Sequence, residues 1–122
     1  MQGTSVLRSE VVGHVAVLTM FRPERRNALN RELLGALTTA VAEADADDGI
    51  HAIVLTGADP AFCAGVDLRE LGSGGTDLVL PRSQRGPFPT RSTPLIGAVN
   101  GAAVTGGLEL ALACDWLVAS ER

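Results

Sequence analysis

Hydrophobic positions along the chain gather into blocks of different length and period. The longest, residues 94–120 (PLIGAVNGAAVTGGLELALACDWLVAS), carries from Ser92 to Cys114 a single charged side chain, Glu109. Its composition predicts a strand over 95–99, a turn at Gly106 and Gly107, and a helix over 108–114. That helix is apolar nearly all round and calls for cover on every side. Glycines, Asn100, Pro94 and Thr105 interrupt the run. No uniformly apolar segment of ~20 residues remains, so a membrane span is rejected.

Shorter blocks precede it. Residues 14–20 (HVAVLTM) read as a strand, with Val6, Leu7, Val11 and Val12 as pieces of a partner strand before it. Pro23 and Asn27 end the strand. Asn30 is placed to cap a helix running to about residue 46, in which Leu33, Leu37 and Val41 recur on one face beside Leu34. Residues 52–56 (AIVLT) form a continuous apolar run, the pattern of a strand covered on both faces. Gly57, Pro60 and Gly65 follow as a turn-rich loop, and Asp67 opens a short helix reaching Leu71. Strand, glycine turn and helix thus occur twice, and the two turns are expected to face one pocket. Residues 72–92, rich in Gly, Pro, Ser and Arg, read as a mobile loop with a short helix, either a pocket cover or a surface excursion.

Composition narrows the class. A chain of 122 residues suits one small domain or part of a larger one, and its 46% apolar but 3% aromatic content leaves Ala, Val and Leu to fill the core. The net charge of −4, with arginine at every Lys-or-Arg position and no lysine, gives no electrostatic footprint for nucleic acid and no basic amphipathic helix for a membrane surface. Cys63 and Cys114 lack metal-ligand spacing; they read as buried thiols of an intracellular protein, with a disulfide as the alternative, and a cytoplasmic location is expected. Asp45, Asp47 and Asp48 read as an exposed connection without the glycine and terminal glutamate of a calcium loop. The N-terminus has no charged segment leading into an apolar one, so no signal peptide is expected.

Two features carry candidate chemistry. Burial of the 94–120 run would take the Glu109 carboxylate in with it, beside a turn whose free backbone N–H groups suit a developing negative charge. Such a pairing fits acyl chemistry. A glutamate in a first helical turn also complements the helix dipole without any chemical role, and both readings stay open. Arg22, Arg25 and Arg26 form a cluster on a loop that would match phosphate groups or simply face solvent.

Three stretches together resemble the enoyl-CoA hydratase/isomerase (crotonase) family: RPERRNALN at 22–30, AFCAGVDLREL at 61–71, and the 94–120 run. The likeness extends over nearly all of the chain. It implies an α/β fold of the crotonase (ClpP-like) type, a spiral of repeated ββα units, assembled as trimers or pairs of trimers. It also implies an acyl-CoA thioester substrate and no metal or redox cofactor. Members are about twice this long, so the resemblance places the chain as the N-terminal part of a single domain, truncated, with a separate C-terminal fragment as a possible partner.

Carried over position by position, the family's oxyanion hole falls on the backbone N–H groups of Val66 and Gly106. Its first catalytic glutamate falls on Glu109, and the position of the second lies past Arg122. Contacts to coenzyme A fall on Arg25, Arg26, Ala28, Ala64, Val66, Asp67, Leu68, Arg69 and Gly106. This raises the phosphate reading of the arginines. The reaction implied first is addition of water to a 2-enoyl-CoA; an enoyl-CoA isomerase and a catalytically silent acyl-CoA-binding or assembly subunit are the alternatives.

Overall fold

The computed structural model describes residues 4–67 and 88–121. Strands β1 (Leu7–Val12) and β2 (Val15–Met20) form an antiparallel hairpin. Its two-residue turn holds Gly13 at φ 61, a left-handed value that suits the first central position of a tight hairpin. The two partner pieces expected from sequence are therefore one continuous strand. A 3-10 turn at Pro23–Arg25 leads to helix α1 (Arg31–Ala46). Asn30 caps it as expected, its side-chain oxygen accepting the Leu33 N–H at 2.8 Å. Leu33, Leu37 and Val41 are buried together with Ala40 and Ala44.

There follow β3 (Ala52–Gly57), β4 (Ala61–Cys63), β5 (Leu95–Val99), β6 (Ala102–Ala103), α2 (Gly106–Leu112) and β7 (Trp116–Ala119). The large sheet runs β1-β2-β3-β5-β7, parallel throughout from β2 onward. Strands β4 and β6 pair in parallel as a second, two-stranded sheet. Both β3 and β5 thus lie in the large sheet and hand the chain to a short strand in the small one. This is the expected spiral of strand pairs, and it sets the β4 and β6 ends side by side.

Ala16, Leu18, Met20, Ile53, Leu55 and Leu95 are wholly buried and join the inner side of α1 in one cluster. Removing an aliphatic side chain of this kind from water contributes about 1.5–3 kcal/mol. Strand β3 departs from expectation: Ile53 and Leu55 are buried, but Ala52, Val54 and Thr56 are only half-buried. One side meets the cluster under α1, and the other has partial cover among the described residues. An apolar run alone does not distinguish these cases.

Helix α2 begins at Gly106, two residues before the expected start, and ends at Leu112, leaving Cys114 in the following turn. Thr105 occupies the cap, where its carbonyl accepts the Glu109 N–H at 3.0 Å. The cover predicted for this helix is incomplete: Leu110 and Ala111 are buried, whereas Leu108 and Leu112 are 48% and 65% exposed. The short helix expected over 67–71 lies past Asp67 outside the described residues, as does the loop over 72–87. The described end of that loop is anchored. Phe88 is buried, and Asp45 accepts from the Thr93 N–H at 2.9 Å and the Thr93 hydroxyl at 2.8 Å. Asp45 is therefore a half-buried clamp at the end of α1, not an exposed connector; Asp47 and Asp48 are exposed as expected. Cys63 is buried and Cys114 only half-buried, both as free thiols. Among the described residues no helix is long and apolar enough to cross a membrane, and no three His, Cys, Asp or Glu side chains group to hold a metal ion.

Candidate functional site

The site begins in the loop after β2. Arg26 and Asn27 both take left-handed backbone angles, φ 52 and 59, which bend the chain back on itself. Asparagine tolerates this better than most residues. Asn27 is wholly buried, and its side chain ties three segments together. Its oxygen accepts the Arg22 N–H at 2.8 Å, and its nitrogen donates to the Ala58 and Ala61 carbonyls, each at 2.8 Å. Backbone bonds then join this loop to the segment after β4. Ala64 N–H donates to Arg26, Leu29 N–H to Gly65 at 2.7 Å, and Asp67 N–H to Leu29 at 2.7 Å. Arg25, Arg26, Ala28, Ala64, Val66 and Asp67, scattered in sequence, thereby become neighbours along one seam.

The arginine cluster divides. Arg22 Nη2 lies 3.0 Å from the Asp67 carboxylate, both side chains being nearly buried, and Nη1 donates to the Ala28 carbonyl. Arg22 is thus a strut across the seam, and the Asp67 carboxylate, expected toward coenzyme A, faces it. Arg25 and Arg26, by contrast, are exposed. Leu68 and Arg69 lie outside the described residues.

The second glycine turn closes on this seam, as the repeated strand–turn pattern predicts. Strand β6 pairs with β4, and the Val104 N–H donates to the Cys63 carbonyl at 3.1 Å. A Cβ on Gly107 would stand 2.1 Å from that same oxygen, so only glycine lets α2 start so close to β4. Gly65 takes φ 109, and a Cβ there would stand 2.5 Å from the Thr105 hydroxyl oxygen. A Cβ on Gly106 would lie 3.7 Å from the Val66 nitrogen. The two backbone N–H groups named from sequence therefore sit at adjoining turns. Among the described residues neither donates a hydrogen bond. Thr105, between them, holds φ 47 and ψ −108, a conformation that is strained for a β-branched residue by about 1–3 kcal/mol.

Glu109 lies in the first turn of α2, three residues beyond Gly106, but it is exposed. The expectation that the apolar run would bury it fails. Helix α2 turns Gly106, Gly107, Leu110 and Ala111 inward, so Glu109 shares the outward side with Leu108 and Leu112. The neighbouring thiols are poor nucleophiles. Burial pushes Cys63 up from its ordinary value, and burial, aided by Asp115 and opposed by Arg91, pushes Cys114 up to about 11.

Sequence reading missed Asn27 as a tie, Thr105 as a strained hinge, and the Arg22–Asp67 pair. Asn27 had a local signal, a lone amide between a basic cluster and apolar residues. The ion pair had none, since its partners are 45 residues apart.

The comparisons agree with this architecture. The family pattern described as Enoyl-CoA hydratase/isomerase matches residues 10–122. A probable enoyl-CoA hydratase of Mycobacterium tuberculosis is 48% identical over 111 residues, covering 87% of this chain and 43% of that protein. A putative enoyl-CoA hydratase/isomerase of Bacillus subtilis is 38% identical, covering 98% of this chain and 48% of its own. The crystal structure of enoyl-CoA hydratase from Mycobacterium tuberculosis H37Rv superposes with a TM-score of 0.82 at 50% identity, over 95% of this chain and 47% of that one. That from Mycobacterium smegmatis gives 0.83 at 47% identity, over 97% and 48%. The chain spans about half the length of the curated relatives it matches. In matched sequence and in crotonase fold alike, it belongs to the enoyl-CoA hydratase/isomerase family.

Proposed function

We propose that the chain carries the acyl-CoA-binding and oxyanion-stabilising part of an enzyme that adds water to a 2-enoyl-CoA thioester. The carrying observation is the closure of the two glycine turns, which brings the Val66 and Gly106 N–H groups together. As the water oxygen bonds to Cβ of the double bond, electron density moves onto the thioester oxygen. Two fixed N–H donors stabilise that charge and are oriented before reaction; the loss of one such donor costs about 3 kcal/mol. Glu109, one turn along α2, serves as the acid/base group for the proton that passes from water to Cα. Arg25 and Arg26, exposed at the far end of the seam, meet the coenzyme A phosphates.

Hydration of a 2-enoyl-CoA, read beside isomerisation of a 3-enoyl-CoA, tests this reading. Turnover of the first and its fall by ~100- to 10,000-fold in Glu109→Gln is the expected result. Isomerisation alone would replace hydratase by isomerase. Tight thioester binding with no turnover of either substrate would leave an acyl-CoA-binding subunit.

A further inference from the structure

Residues 104–107 form a tight turn. The Gly107 N–H donates to the Val104 carbonyl at 2.8 Å, which leaves Thr105 and Gly106 as the two central residues. Thr105 holds φ 47 and ψ −108, while Gly106 keeps a negative φ as the first residue of α2. These are the angles of a type II′ turn, whose first central residue sits near φ of about 60 and ψ of about −120. That position ordinarily belongs to glycine. A threonine there goes against the local preference, and the turn has another form that suits it better.

Rotating only the Thr105–Gly106 peptide converts type II′ into type I′, which keeps the same closing bond. Thr105 then moves, at nearly unchanged φ, to the left-handed region near ψ of about 30, which residues other than glycine do enter. Gly106 takes a φ near about 90, open to it because it has no Cβ. The Thr105 side chain need not move. Its hydroxyl stays seated against Gly65, where a Cβ would stand 2.5 Å from it. One bond opposes the rotation: the Thr105 carbonyl accepts the Glu109 N–H at 3.0 Å and would turn away from it. The strain released and the bond lost are of comparable size, so neither orientation overwhelms the other.

We propose that the Thr105–Gly106 peptide is a two-position switch and that Thr105, as a positioning residue, sets its balance. In the II′ orientation the peptide presents the Gly106 N–H at the turn beside Val66; in the I′ orientation the Thr105 carbonyl takes its place. A thioester oxygen accepts from an N–H and is repelled by a carbonyl oxygen, so an acyl-CoA selects the first. The choice of ligand rests on the function proposed above, whereas the two positions rest on the turn itself.

Two substitutions push the balance in opposite directions. Thr105→Gly removes the strain and leaves the Glu109 bond to decide for II′. Thr105→Asn puts an asparagine before Gly106, the pair most favoured in type I′. Hydrogen exchange at the Glu109 amide reads the orientation without any ligand. Its protection should rise in Thr105→Gly and fall at least ~10-fold in Thr105→Asn. Calorimetric titration with butyryl-CoA should follow the same order, ~2- to 10-fold tighter for the glycine variant and at least ~10-fold weaker for the asparagine variant. Free coenzyme A, which lacks the thioester oxygen, should bind all three chains alike; a merely structural role would move both ligands together and overturn the proposal. Equal Glu109 protection in the three chains would overturn it as well. Protection in the expected order, with butyryl-CoA affinity unchanged or absent throughout, would support the two positions and overturn the assignment of the Gly106 N–H to the thioester oxygen.

Discussion

Gly106 and Gly107 are chain neighbours with opposite tolerances. A Cβ on Gly107 would meet the Cys63 carbonyl, which belongs to the backbone and cannot swing away, whereas one on Gly106 would make an ordinary 3.5 Å contact with Val66. Gly107→Ala should therefore destabilise the fold by about 1–3 kcal/mol or more in urea unfolding. Gly106→Ala should unfold as the parent does, while Gly106→Val, reaching further into the space before the two N–H groups, should lose acyl-CoA binding measured by calorimetry. Asn27→Ala removes the partner of the Arg22 N–H and of the half-buried Ala58 carbonyl and leaves the buried Ala61 carbonyl only a 3.5 Å bond from Asn100, a loss of about 1–3 kcal/mol readable in the same unfolding assay. Cys114, with its thiol pushed up to about 11, should alkylate slowly at pH 8. An ordinary thiol near 8.5 holds on the order of 100-fold more thiolate at that pH. Iodoacetamide labelling followed by mass spectrometry measures this.

At the scale of elements, the Asp45 clamp sets a pH dependence. The Thr93 N–H, then the Thr93 hydroxyl, hold the Asp45 carboxyl below its ordinary value, with Ser92 adding to them and desolvation opposing. Folding thus favours the ionised form. Its contribution is fully present above the unfolded value of about 4 and is lost as pH falls through the lower folded value. Asp45→Asn should lower stability at pH 7 and converge on the parent toward pH 2, as read by urea midpoints across that range. The elements themselves were legible because each is written locally. The Asn30 cap, the Leu33, Leu37 and Val41 stripe and the strand-length apolar runs name α1, β2, β3 and β5 without reference to distant residues. What was not legible depended on partners far along the chain. The outward turn of Glu109 follows from which side of α2 faces β4, and the tie from Arg22 to Asp67 from a seam that exists only once two loops have met. The site was half legible: the spacing of the glycine turns foretold their meeting, but not that Thr105 holds a strained hinge between them.

For the molecule as a whole, the register of the strands fixes how it assembles in time. Only β1 and β2 pair locally, with Val12 opposite Val15 across a tight turn. Val15 pairs with Ala52, Ile53 with Leu95, and Ile96 with Trp116, so every other partnership in the large sheet waits for a long loop to close. Chains dominated by such distant pairings fold slowly, in milliseconds to seconds. The hairpin is the natural nucleus, and β7 joins last. In kinetic measurements, strain introduced at Gly13, where φ is 61, should slow folding, whereas truncating Val118 should chiefly speed unfolding. A ribosome making this chain would therefore release the β1–β2 hairpin first. It could then lay β3 against β2 and β5 against β3 as each emerged, leaving only the outer edge of β5 open to chaperones until Trp116 followed.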